Sequence, residues 1–377
     1  MSEVTLVFVD GFGFHYLQNK EIAEGAHSIF TDIIPLRSII GYSAGIIPSI
    51  WTSSYPEDHG YWVRWMLKQD YLPKPIRLSR SKWVLHCLLL YSIKSLLSKF
   101  RIQTNLNPSI PGELLPLYSY KDVDVTQPFN STNPPSFFNL LKREAIPYHY
   151  AFHQRIDEVT IPNSRFKVAI LYIGEFDGAG HSYGPEADLI PKRAKLLFQL
   201  LEKVARNTHH LCVFSDHGMF PIKTRLNVLA ALKSLKLTLG KDYLAFLDGT
   251  MARFWFFSRD AQDKITNCLS KLNQGHFLSE MELKSEGLCF HTNAYGDAIF
   301  LLEPTIEVYP NFFHPIHKQF FKGMHGYTSL TENSYGLLAT NFNLNSQKGE
   351  LLDISPSILT LLGINPPKTW KGKSLVA

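Results

Sequence analysis

The 377-residue chain has no run of about 18 or more apolar residues, so no segment reads as a transmembrane helix. Cysteine is scarce. Cys87, Cys212, Cys268 and Cys289 lie far apart, without metal-binding or redox spacing. A disulfide scaffold and a cysteine metal centre are thereby excluded, and buried free thiols in a reducing compartment are expected. The apolar run at 4–9 has no basic leader before it and is broken by Asp10. It reads as a first buried strand rather than a signal peptide, and a cytoplasmic location is the expectation. Repeats and low-complexity tracts are missing too. With 45% hydrophobic and 19% charged residues, disorder, collagen and coiled coil are excluded as the main class.

Neither sign of charge dominates: 38 basic and 33 acidic residues give a net +5. The distribution is uneven, however. Between positions 61 and 103 stand nine basic residues (Arg64, Lys68, Lys74, Arg77, Arg80, Lys82, Lys94, Lys99, Arg101) and one acid, Asp70. That segment carries +8, and the remainder of the chain sums to −3. A local charge of this size implies an anionic partner at one place on the surface.

Continuous β-branched and apolar runs at 4–10, 168–177, 211–216 and 297–303 end in acidic residues. Runs without alternation suit strands buried on both faces of a mainly parallel sheet. Helical periodicity separates them, for example over 191–206 and 355–362. The alternation predicts an α/β fold, a doubly wound and mainly parallel sheet sandwiched by helices, whose ligands bind beyond the carboxyl ends of the strands. The whole chain is expected to form one catalytic domain. Two stretches break the pattern and are read as insertions over the active-site edge: 61–135, basic then rich in proline, asparagine and serine, and 225–296, with its own strand at 251–257 and helix at 261–272. In the first, an apolar run from Trp83 to Tyr91 is flanked by Lys82 and Lys94. Packing as a lid helix on the cleft is the favoured reading, with an interfacial helix on anionic lipid as the sharper alternative. Nucleic acid is disfavoured, because no binding fold accompanies the charge.

The chemistry-bearing residues fall in five short segments. Asp10 ends the first strand. Asp177 and His181 lie in Glu175-Phe176-Asp177-Gly178-Ala179-Gly180-His181. Asp216 and His217 follow Phe214-Ser215, His325 sits in Gly323-Met324-His325-Gly326, and Ser43 precedes Pro48 in a loop. Each alone would be a helix cap, a turn or a core histidine. Together, three carboxylates and three imidazoles follow buried runs or sit in glycine-rich turns. Mixed His/Asp ligation suits zinc, ahead of manganese or iron.

These segments, in this order, resemble the alkaline phosphatase superfamily and, within it, the type I phosphodiesterase / nucleotide pyrophosphatase group. Tyr55-Pro56-Glu57-Asp58-His59-Gly60 matches that group's Tyr-Pro-Glu-x-His-Gly, and the closing segment from Asp353 to Leu375 is similar to its C-terminal signature. The resemblance implies two divalent ions. Asp177, His181 and His325 would hold one, and Asp10, Asp216 and His217 the other, with Ser43 Oγ as a further ligand. The nucleophile of the family stands sixteen positions before the motif histidine, which is Ser43 here; Ser49, Ser53 and Ser54 are its rivals by residue type alone. The implied reaction is hydrolysis of a phosphoester, of phosphodiesterase or nucleotide pyrophosphatase type, through a phosphoseryl intermediate on Ser43. His59 is expected to be structural, bonding the loop backbone.

One position departs from the group. Where nucleotide pyrophosphatases have an Asn that contacts the phosphoryl oxygens, this chain has Arg64. A guanidinium there would favour a more highly charged ester, so a phosphomonoesterase is the alternative, as is a membrane-surface phosphatase on a lipid-linked phosphate. A non-catalytic member is disfavoured, because a binding module has no need of six converging ligands. Sulfatases need Pro and Arg after the nucleophile, which Ser43-Ala44-Gly45-Ile46-Ile47 lacks.

Overall fold

The computed structural model describes residues 2–78, 80–99, 109–162, 165–313 and 320–377. Arg101, part of the basic segment, lies outside them. In chain order the elements used below are β1 (Ser2–Val9), α1 (Lys20–His27), β2 (Asp32–Arg37), α2 (Ser43–Thr52), α3 (Arg80–Lys99), β3 (Tyr148–His153), β4 (Val168–Ile173), α4 (Glu175–Tyr183), α5 (Leu189–Ala205), β5 (Thr208–Phe214), β6 (Tyr243–Leu247), β7 (Met251–Phe256), β8 (Gly275–Phe277), β9 (Ala298–Leu302), β10 (Gly336–Thr340), β11 (Gly349–Glu350) and α6 (Ile354–Leu361).

A seven-stranded sheet runs β11-β2-β10-β5-β1-β4-β3. Its pairs are parallel except where β10 lies antiparallel to both β2 and β5. β1 is buried on both faces because it sits between β4 and β5 with helices on either side, which is why its sequence does not alternate. Leu6 and Phe8 pack with Trp51 of α2, Phe138 and Ile358 of α6. Val7 and Val9 point the other way, into Ala26 of α1 and Leu197 and Leu201 of α5. The buried residues of α5, Ile190, Ala194, Leu197, Phe198, Leu201 and Val204, lie along one face of the helix. Each large one stabilises the sandwich by about 1.5–3 kcal/mol.

Two expectations need correction. The apolar run at 297–303 is not in the parallel sheet. Its strand, β9, pairs antiparallel with β7 and β8 in a separate four-stranded sheet, β6-β7-β9-β8. A strand buried in a small capping sheet has the same apolar signature as one in a large parallel sheet, since both faces are covered in each case. The run at 168–177 also changes character: the strand stops at Ile173 and α4 begins at Glu175, so Asp177 is on a helix.

The first insertion packs against this capping sheet. Trp65–Leu67 pairs with Tyr118–Tyr120, and the Trp65 ring stacks on Phe246 of β6. Trp83 and Cys87 are buried, and Trp83 Nε1 donates to Ser109 O at 2.8 Å. Leu85, Leu88, Leu89, Ile93 and Leu96 are exposed. Among the described residues no helix is long and apolar enough to cross a membrane.

Candidate active site

Strand register brings the first two carboxylates together. Phe8 is level with Tyr172 on one side and Phe214 on the other, and the three rings stack at 4.3 and 4.8 Å. Asp10 lies two residues beyond Phe8 and Asp216 two beyond Phe214, so both leave the sheet at the same level and on the same face. The chain then turns at Gly11, whose φ is +72°. A Cβ at Gly11 would stand 2.9 Å from Asp177 Cα, so only glycine allows the first turn of α4 to come this close. Asp177 N donates to Asp10 O at 3.0 Å and locks that approach. His181 follows one helical turn after Asp177 and shares its face.

His325 arrives from the loop after Gly323–Met324. Gly326 (φ +90°) is pressed on Gly41: a Cβ there would meet Gly41 O at 2.2 Å. The His325 loop and the Ser43 loop are thereby held together, and the Tyr42 and His325 rings meet edge to face with centroids 5.8 Å apart.

The six side chains form two groups, Asp177/His181/His325 and Asp10/Asp216/His217, each with ligand-capable atoms within 4.8 Å of one another. His181 Nε2 is 3.2 Å from Asp177 Oδ1, and His325 Nε2 is 3.6 Å from the same oxygen. His217 Nε2 is 3.3 Å from Asp10 Oδ1 and 3.4 Å from Asp216 Oδ2. The groups adjoin, with His217 Nε2 4.0 Å from Asp177 Oδ1.

The hydrogen bonds split four of the six side chains, Asp10, Asp216, His181 and His217, into an anchored and an open half. Tyr172 OH donates to Asp10 Oδ2 at 2.5 Å, and Gly11 N donates to Asp216 Oδ1 at 3.2 Å. His181 Nδ1 lies 2.9 Å from Gly323 O and His217 Nδ1 2.9 Å from Gly218 O. A carbonyl can only accept, so both Nδ1 atoms carry a proton and both Nε2 atoms face the carboxylates, where a metal ion and a second proton would compete for them. The open atoms Asp10 Oδ1, Asp177 Oδ1, Asp216 Oδ2 and His217 Nε2 are buried without a hydrogen-bond partner. Unpartnered buried carboxylate oxygens are costly, and divalent cations are the partners that would satisfy them.

The electrostatics agree. Burial and the charge of Asp10 push the Asp216 carboxyl well above its usual range. Burial opposes the charge of His217, but Asp216 and Asp10 outweigh it and push its pKa up to about 10. Burial likewise opposes charge on Asp177, yet the adjacent His181, His325 and His217 hold it well below the usual carboxylate range. Burial and His217 push His325 well below the ordinary histidine value. The cluster is short of positive charge, which protons supply only in part.

Ser43 is the first residue of α2, just after Tyr42. From Gly41 to Ser54 it alone is partly exposed. Its rivals are committed elsewhere: Ser49 Oγ donates to Gly45 O and lies 2.9 Å from His59 Nε2, Ser53 Oγ donates to Leu352 O, and Ser54 pairs with Thr52. His59 also accepts from Tyr61 N at 3.1 Å, the loop-bonding role expected of it. Arg64 stands near the rim. Its Nε is 2.9 Å from Asp122 Oδ2, and its guanidinium lies 5.9 Å from the ring centroid of Phe313, which packs on Tyr42. Arg253 is wholly buried and paired with Asp248 at 2.7 Å, a structural role.

Two functional contacts are not foreshadowed in the sequence. Tyr172 reads as one more strand residue until β4 is paired in register with β1. Tyr42 joins Ser43 to the capping sheet through Thr250, whose hydroxyl is 2.9 Å from the Tyr42 hydroxyl and whose N–H donates to it at 3.1 Å.

Solved structures share this fold across almost the full length. Human ectonucleotide pyrophosphatase / phosphodiesterase 5 superposes with a TM-score of 0.63 at 14% identity, covering 98% of this chain and 97% of its own. The murine protein, as an inactive form in complex with AMP, gives 0.61 at 14% identity, covering 97% and 96%. The architecture is therefore that of the alkaline phosphatase superfamily. A comparison with curated protein sequences finds no match. The family model for type I phosphodiesterase / nucleotide pyrophosphatase matches residues 4–328, and the chain belongs to that family of phosphoester hydrolases.

Proposed function

We propose that the chain is a metal-dependent phosphodiesterase of nucleotide pyrophosphatase type that works through a phosphoseryl intermediate on Ser43. The observation that carries this reading is the set of four buried, unpartnered atoms facing one another across two adjoining Asp/His groups. Asp177, His181 and His325 would hold one divalent ion, and Asp10, Asp216 and His217 the second. Two nitrogen and oxygen donor sets of this kind suit zinc. When bound, such ions polarise phosphoryl oxygens and lower the pKa of a neighbouring hydroxyl.

The protein's own part is positioning. Tyr172 and Gly11 orient the carboxylates, and the carbonyls of Gly323 and Gly218 fix the histidine tautomers. Ser43 opens a ten-residue helix whose first amides favour a phosphoryl group beside its hydroxyl. Ser43 Oγ attacks phosphorus, the P–O bond to the first alcohol breaks, and that alcohol leaves with a proton. Water then cleaves the Ser43–phosphate ester and restores the hydroxyl. A neighbour of the same fold holds AMP, so nucleotidyl diesters are the first substrates to try.

Pairing of Arg64 with Asp122 balances its charge, which supports a diester over a monoester. The test is turnover of bis(para-nitrophenyl) phosphate and para-nitrophenyl thymidine monophosphate by wild type and Ser43→Ala. The variant should lose at least about a thousandfold in kcat while binding metal normally. Retained turnover would remove Ser43 as nucleophile.

A further inference from the structure

α3 is a 20-residue helix whose first half is anchored in the body. Its buried anchor is Trp83 and Cys87, with the Trp83 ring edge on Phe312. Beyond the anchor, Leu85, Leu88, Leu89, Ile93 and Leu96 recur at intervals of one, three and four, and all five are exposed, Leu85 by 67%, Leu89 by 57% and Leu96 by 56%. Leu72, ahead of the helix, is 81% exposed. Exposed large apolar side chains elsewhere in the fold are scattered, so this concentration on one helix marks a surface meant to be covered.

The charge around it selects what covers it. Between Asp70 and Glu113 the sequence contains no acidic residue. Lys74, Arg77, Lys82 and Lys94 are exposed in this stretch, and Lys82 stands one turn before Leu85. An apolar stripe on a helix without acids suits the interface of an anionic bilayer: leucines enter the acyl boundary, Lys82 beside them reaches the phosphate headgroups, and Lys94 on the opposite side adds to the positive charge of the helix. The helix is not apolar enough to span. We propose that α3 lies in the plane of an anionic membrane surface and docks the enzyme there. This goes beyond the catalytic reading and does not depend on it, because docking needs no turnover.

The test is flotation of the full chain with vesicles of phosphatidylcholine alone or with about a third phosphatidylserine. Wild type should float with the anionic vesicles and at least roughly tenfold less with the neutral ones. Leu85→Gln/Leu89→Gln/Leu96→Gln, and separately Lys82→Gln/Lys94→Gln, should each cut the bound fraction by about tenfold while hydrolysis of a soluble ester stays at the wild-type rate. Absence of flotation, or equal flotation of the variants, would overturn the proposal. So would a stable dimer that the leucine variant dissociates without any vesicle binding, since the stripe would then be a contact between two copies.

Discussion

His217 lies face to face on His325, with ring centroids 3.6 Å apart and planes within 6°. One ring belongs to each of the two candidate metal groups, so the groups share a wall. A change in one ring is felt by the other. His325→Ala should therefore abolish binding of its own ion and also weaken the second by about tenfold. Competitive titration with a chromophoric chelator resolves the two steps. An unaltered second affinity would mean that the groups act independently.

Tyr172 offers a sharper probe, because its ring and its hydroxyl do different things. The ring stacks on Phe8, and the hydroxyl holds Asp10 Oδ2. Tyr172→Phe keeps the stack and removes only the hydrogen bond. Its thermal midpoint with metal removed should stay close to wild type, while affinity for the second ion falls by about 10–100-fold. Loss of folding without loss of affinity would assign Tyr172 to the core alone.

How far the site was legible follows from these residues. Asp10 and Asp216 could be picked out because each ends an apolar run, and the register Phe8–Phe214 does bring them together. Asp177 was visible as an acid but not as a helical one, since only Gly174 separates the strand from the helix that begins at Glu175. Tyr172 was invisible: its role exists only once two strands distant in sequence are paired. β9 was misplaced because burial on both faces erases the difference between capping and central sheets. α3 was expected as a helix through this segment, but its hydrophobicity could not say whether protein or solvent faces it.

The motif histidine makes a pH prediction away from the metal site. Burial, with Lys121 adding to it, pushes the pKa of His59 down to about 3. The folded state keeps His59 neutral, whereas the unfolded chain takes up a proton below about 6.5. The unfolded state thus binds more protons between those values, and stability falls as pH falls from about 6.5 to about 3. His59→Gln should cost about 1–3 kcal/mol at neutral pH through the contacts with Ser49 and Tyr61. It should also show a shallower acid loss than wild type in urea melts across that window. Parallel curves would contradict the assignment.

Arg64 bears on ester preference. If its guanidinium reaches a phosphoryl oxygen, Arg64→Asn should lower kcat/KM for para-nitrophenyl phosphate by about tenfold and leave the bis ester within a few-fold. Values for both esters that are unchanged by Arg64→Asn would make the pairing with Asp122 its whole role.

The most direct measurement is metal content against activity: elemental analysis of the full chain after zinc loading and again after exhaustive chelation, with diester turnover followed in parallel. Two ions per chain, turnover lost on chelation, and turnover regained on adding zinc back are the predicted result. A chain that binds no zinc, or one that hydrolyses the diester equally well after chelation, would contradict the account.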